Sequence, residues 1–175
     1  MRKAIFLLLV AGAACGGSQK SAGIPSAAIP NEIVAEAKVQ PLAGQSANGT
    51  VTFRQVPGGP VTIQVALSGL APSSKHAFHV HENGDCGGEF AANAGKHFNP
   101  AGAPHPQHPG DFGNLTAGAD GTVATVVTGT AITLEDGPTS VMNRAVVIHG
   151  GEDDLVSQPS GNAGKPIACG IIAKK

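Results

Sequence analysis

The chain has 175 residues, of which 13% are charged, and carries a formal net charge of −1. So small a charge gives no general affinity for nucleic acid or for an anionic membrane surface. Hydrophobic residues at 41% exclude a disordered chain, and with Trp and Tyr absent and only 6 Phe the core must be Val, Ile, Leu and Ala, a composition that suits strands.

In chain order, Arg2 and Lys3 precede an uncharged run from Ile5 to Ala14. This is the pattern of a secretory leader and is too short for a spanning helix. Cys15 follows Ala13-Ala14 and precedes Gly16-Gly17-Ser18, which resembles a bacterial lipoprotein cleavage site where the cysteine becomes a lipid-bearing N-terminus. Ordinary cleavage after an Ala-x-Ala pattern is the alternative. The expected organisation is a leader over 1–15, a Gly/Ser/Ala/Pro tether over 16–30 and one folded domain over 31–175.

Glu32 to Val39 alternates, with Ile33, Ala35, Ala37 and Val39 on one face. Thr50 to Val56 sets Val51, Phe53 and Gln55 against Thr52, Arg54 and Val56, and Val61, Ile63, Val65 and Leu67 form a third alternation. A period of two predicts half-buried strands. Asn48-Gly49 and Pro57-Gly58-Gly59-Pro60 supply turns, and Asp120-Gly121 opens a strand over 123–127. Shorter apolar strands are expected over 144–149 and 167–173. No segment shows a 3.6-residue apolar period, so the pattern predicts an all-β antiparallel sandwich or barrel. Two long stretches, 82–114 and 150–166, break the rhythm, and long loops in a compact domain are usually functional.

Six of the seven histidines fall in 76–108, and the seventh is His149. His79 and His81 lie two apart on a strand-like segment, so their rings share a face. His97, His105, His108 and Asp111 lie in a Gly/Pro-rich loop able to wrap an ion. Three imidazoles and a carboxylate make a closed tetrahedral set suited to zinc, and imidazole-rich sites also suit copper.

Phe78-His79-Val80-His81-Glu82, His97-Phe98-Asn99-Pro100, His108-Pro109-Gly110-Asp111 and Gly161-Asn162-Ala163-Gly164 closely resemble the copper/zinc superoxide dismutases, over roughly residues 32–173. The resemblance implies an eight-stranded Greek-key β-barrel with a metal-binding loop and an electrostatic loop. It implies superoxide as substrate, copper on His79, His81, His97 and His149, and zinc on His97, His105, His108 and Asp111. His97 would then bridge the two ions and serve as proton donor to the peroxide product. Asp153 would orient His79 and His105 by hydrogen bonds. His76 resembles a family histidine that is structural, and strand parity turns it away from the His79/His81 face.

If Cys15 is lipidated or removed, Cys86 and Cys169 remain as an even pair, and an exported protein meets an oxidising compartment, so a disulfide is expected. One departure concerns the anion gate. Counting back from Cys169, Pro166 stands where the family has an Arg, and Lys165 beside it either substitutes in part or is an ordinary surface lysine. The leading expectation is an exported dismutase protecting the cell envelope. The alternative is an envelope protein that holds copper and zinc with little turnover. A copper chaperone is disfavoured by a Met count of 2. The sequence gives no reading of oligomeric state.

Overall fold

A computed structural model describes residues 29–175. The leader, Cys15 and nearly all of the tether lie outside the described residues, and the expectations for them rest on sequence alone. Eight strands form in chain order: β1 (Ile33–Pro41), β2 (Asn48–Gln55), β3 (Val61–Ser68), β4 (Lys75–His81), β5 (Asp111–Thr116), β6 (Val123–Gly129), β7 (Ala145–His149) and β8 (Pro166–Lys174). All pair antiparallel, in the order β5-β4-β7-β8-β1-β2-β3-β6, and the edge strands β5 and β6 approach each other across one seam. The result is the Greek-key barrel, nearly closed, that the alternations and the family resemblance predicted. Closure removes most of the exposed strand edge.

The three alternating segments bury the faces read from the sequence. Val61, Ile63 and Val65 are fully buried while Thr62, Gln64 and Ala66 are exposed, and Val51 and Phe53 face them from β2. Each such side chain contributes about 1.5–3 kcal/mol of burial. Gln55, polar but on the buried face, is hydrogen-bonded through both amide atoms. Its Oε1 accepts from Leu134 N at 2.6 Å and Thr133 Oγ1 at 3.0 Å, and its Nε2 donates to Gly59 O at 2.8 Å.

β4 and β7 are different. β7 is buried at every position, and β4 at every position after Lys75. Phe78 and Val80 of β4 and Val146 and Ile148 of β7 join the barrel core. The intervening residues point outward and are covered by loops. A short 3-10 segment, Glu89–Ala94, lays Ala91 and Ala94 over Ala145, Val147 and Cys169, forming a second small apolar cluster outside the barrel. Cys86 and Cys169 are disulfide-bonded there, 83 residues apart in sequence, so the expected bridge pins this loop to β8.

The stretch 82–114, read as continuous loop, holds two regular pieces: the 3-10 segment and the start of β5. β5 gave no alternation because four of its six residues are only half-buried and Gly113 interrupts it at φ +69°.

Candidate metal centre

The site begins with β4. Because Phe78 and Val80 fill the core, His79 and His81 must point out of the barrel, beneath the long loops. β4 and β5 pair with Asp111 opposite His79. Beyond β4 the chain returns alongside it. Phe98 N donates to Val80 O at 2.8 Å, Val80 N to Gly110 O at 2.8 Å, and Gly110 N to Phe98 O at 3.0 Å. Phe98 is only 3% exposed, so its insertion into the core turns its neighbour His97 outward, in an isolated bridge with His81. Gly110 has to be glycine. A β-carbon there would collide with Val80 O and lie 3.0 Å from the Phe98 β-carbon.

Two four-membered sets result. His79, His81, His97 and His149 form one, and His97, His105, His108 and Asp111 the other, the donor atoms of each lying within 4.8 Å of one another. All six histidines are at most 9% exposed. Each has a buried ring nitrogen with no hydrogen-bond partner: Nδ1 of His79, His105 and His108, and Nε2 of His81, His97 and His149. Buried polar atoms are normally paired, so six such nitrogens converging on two points, with Nδ1 of His105 and His108 also 2.9 and 3.0 Å from Asp111 Oδ2, have the arrangement of metal ligands. The donor chemistry agrees. Four imidazoles suit copper, and three imidazoles with a carboxylate suit zinc. Each set could hold a metal ion.

The opposite edges of the rings fix the tautomers. His79 Nε2–H donates to Asp153 Oδ2 at 2.8 Å, and His105 Nε2–H to Asp153 Oδ1 at 2.9 Å. His81 Nδ1–H donates to Gly95 O at 2.9 Å, and His149 Nδ1–H to Gly164 O at 3.0 Å. A proton held on one nitrogen leaves a lone pair on the other, aimed into the set. His97 is placed differently. Its Nδ1 lies 2.7 Å from Asp111 Oδ1, a member of the second set, and its Nε2 is an orphan of the first. Neither edge of this ring has a fixed partner outside the two sets.

Asp153 is 1% exposed, and its carboxylate also accepts from Leu155 N at 2.7 Å. Asn114 grips its backbone from both sides, with Nδ2 donating to Asp153 O and Oδ1 accepting from Asp153 N, each at 2.8 Å. Gly161, at φ +66°, passes so close that a β-carbon would strike the Asp153 carboxylate and sit 2.7 Å from His105 Nε2. His76 belongs to neither set. It is buried, with Nδ1 donating to His149 O at 2.8 Å and Nε2 lying 2.7 Å from Ser74 Oγ.

Electrostatics keep His79, His81 and His149 neutral. Burial, reinforced by the neighbouring imidazoles, pushes His79 down to about 2 and His81 to about 3, and burial also lowers His149. Burial alone would raise Asp111, but the His97 hydrogen bond and the attraction of His97 and His108 outweigh it and hold the carboxyl below its ordinary value. Neutral imidazole and ionised carboxylate are the ligating forms.

A cavity of about 580 Å³ opens over the first set, and His81, His97 and His149 reach its floor. Pro166 and Phe90 form part of its wall. Lys165 does not line it, and its ammonium rests 4.0 Å from the centre of the Phe90 ring. Lys96 does line it, a residue that sequence reasoning passed over. Asn114 and Gln158 were passed over too. Both act through backbone contacts between distant segments, which leave no mark on the sequence.

The family model for copper/zinc superoxide dismutase (SODC) matches residues 47–172. The chain belongs to the copper/zinc superoxide dismutase family. Among solved structures, a superoxide dismutase-like protein from Bacillus subtilis is 28% identical, with a TM-score of 0.72, covering 78% of this chain and 96% of that one. A double mutant of that protein, in which a tyrosine and a proline become histidine, is 29% identical with a TM-score of 0.72, covering 79% and 96%. The clock protein EA4 is 33% identical with a TM-score of 0.72, covering 84% and 98%. Copper/zinc superoxide dismutase membership agrees with the donor chemistry of the two histidine sets.

Proposed function

We propose that this chain is an exported superoxide dismutase, with copper among His79, His81, His97 and His149 and zinc among His97, His105, His108 and Asp111. Two superoxide anions and two protons become dioxygen and hydrogen peroxide. Copper supplies the one-electron couple that both half-reactions need, and zinc a redox-inert charge.

The chain's own residues do the rest. Asp153 holds His79 and His105 in one orientation, and the carbonyls of Gly95 and Gly164 hold His81 and His149. These four rings cannot shed their tautomers without losing a hydrogen bond. His97 differs in that its Nδ1 stays hydrogen-bonded to Asp111 while its Nε2, unpartnered, is available to take and release a proton. That proton would sit at the cavity floor, where the peroxide leaves. The observation that carries the reading is this one: His97 alone presents each ring nitrogen to a different donor set.

Export and an envelope role are supported by the disulfide and by the leader pattern, and lipid attachment through Cys15 is part of the same proposal. The second reading, a protein that holds both metals with little turnover, is favoured by Pro166, which offers the cavity neither charge nor N–H. Purified protein loaded with both metals is expected to inhibit cytochrome c reduction by superoxide, in EDTA so that free copper is silent. Full metal content without inhibition selects the second reading. In that case P166R is expected to restore activity.

A further inference from the structure

Superoxide is a small anion, far smaller than the cavity of about 580 Å³ above the first histidine set. Shape therefore cannot hold it, and its approach depends on the field inside the cavity. The charged residues that line it, histidines aside, are Glu82, Glu89 and Lys96. Two carboxylates repel the substrate, so the single ammonium matters.

Lys96 is unusual in how it is held. Its N–H donates to Glu82 Oε1 at 3.2 Å, and its carbonyl accepts from Glu82 N at 2.9 Å. The backbone is thus fixed on both sides, one residue before His97. The first of these bonds also ties down the Glu82 carboxylate, spending part of its negative charge on a backbone N–H. The Lys96 side chain is exposed, and among the described residues its ammonium makes neither ion pair nor hydrogen bond. Lys75 and Lys175, by contrast, are each paired to a glutamate at 2.7 Å. Lys165 rests against the ring of Phe90 and does not line the cavity. An unpaired cation at the cavity wall leaves its field uncancelled, where low-dielectric walls focus it.

We propose that Lys96 guides the anionic substrate into the cavity, supplying the positive charge that Pro166 lacks. This rests on the dismutase reading for its substrate, but its geometry applies to any small anion bound over the first set. The role is attraction and not proton transfer, so the charge matters and the identity of the cation does not.

The test compares K96Q, K96R and K38Q, the last removing a charge from β1 outside the cavity. Equal metal content in all variants establishes intact folding. Azide is titrated into each copper- and zinc-loaded protein by its optical absorbance, and dismutation is measured over 10–500 mM salt. K96Q is expected to weaken azide binding and lower the dismutation rate by about three- to ten-fold at low salt, with the gap closing at high salt. K96R and K38Q should stay near the parent in both. Azide affinity unchanged in K96Q, or no azide binding by the parent, overturns the proposal. An azide effect without any dismutation by the parent instead overturns the dismutase reading and leaves Lys96 as the anion guide.

Discussion

His105 and Gln158 hold each other by two reciprocal hydrogen bonds, His105 N to Gln158 Oε1 at 3.0 Å and Gln158 Nε2 to His105 O at 2.7 Å. The pair ties the loop that carries three of the second set's residues to the loop between β7 and β8. Neither contact touches a donor atom. Both fix the backbone from which the His105 ring projects.

Q158A should therefore loosen zinc without removing a ligand. Support of this kind is worth about 10–100-fold in metal affinity. Competition with a coloured chelator is expected to show weaker zinc at the low end of that range, with copper affinity changed much less. Equal zinc affinity in Q158A and parent would show that Asp153 alone suffices to position His105.

D153N should harm one of the two sets. The parent carboxylate accepts two ring N–H groups at once, at 2.8 and 2.9 Å. An amide offers one acceptor and one donor, so either His79 or His105 must turn its lone pair outward to meet the new N–H. Loss of about 10–100-fold in affinity for copper or zinc is expected, and dismutation should fall with metal content. Isothermal titration of each metal into the stripped protein measures this.

Acid should destabilise the metal-free protein. His79 and His81 are held down to about 2 and about 3 when folded, against an ordinary 6.5. Below pH 6.5 the unfolded chain binds protons that the folded rings refuse, so stability is full above that pH and falls as pH drops toward 3. The loss is on the order of several kcal/mol. Thermal unfolding of stripped protein between pH 7.5 and 4 should show Tm falling steadily. With both metals bound, Tm should stay nearly level until the pH at which the ions leave.

Reduction should cost stability as well. Joining Cys86 to Cys169 across 83 residues removes about 4.5 kcal/mol of chain entropy from the unfolded state. The C86S/C169S variant is expected to unfold at lower denaturant. The 3-10 segment beside the cavity should exchange its amide hydrogens faster, since its buried alanines rest on the same cluster as Cys169.

The legible parts of the fold were those with one wet face. β1, β2 and β3 alternate because their outer sides meet water, and Ala35, Val51 and Ile63 sit where that alternation put them. β4 and β7 are covered on both faces and so read only as apolar or histidine-bearing runs. The candidate metal ligands were legible through the clustering of imidazoles and the family resemblance, and the structure brings them together in two sets. Asn114, Gln158 and Lys96 were not. Each acquires its role from a neighbour brought close by folding: Asp153, 39 residues away, for the first, His105, 53 away, for the second, and the cavity for the third.

β4 divides its labour residue by residue, Phe78 and Val80 inward, His79 and His81 outward. A slip of one position against β7 would put imidazoles into the oily interior and phenylalanine where ions belong. Misaligned chains thus forfeit structural integrity and chemical competence in the same stroke. Proofreading of the scaffold and of its candidate metal centre is one event, performed by a single pairing register.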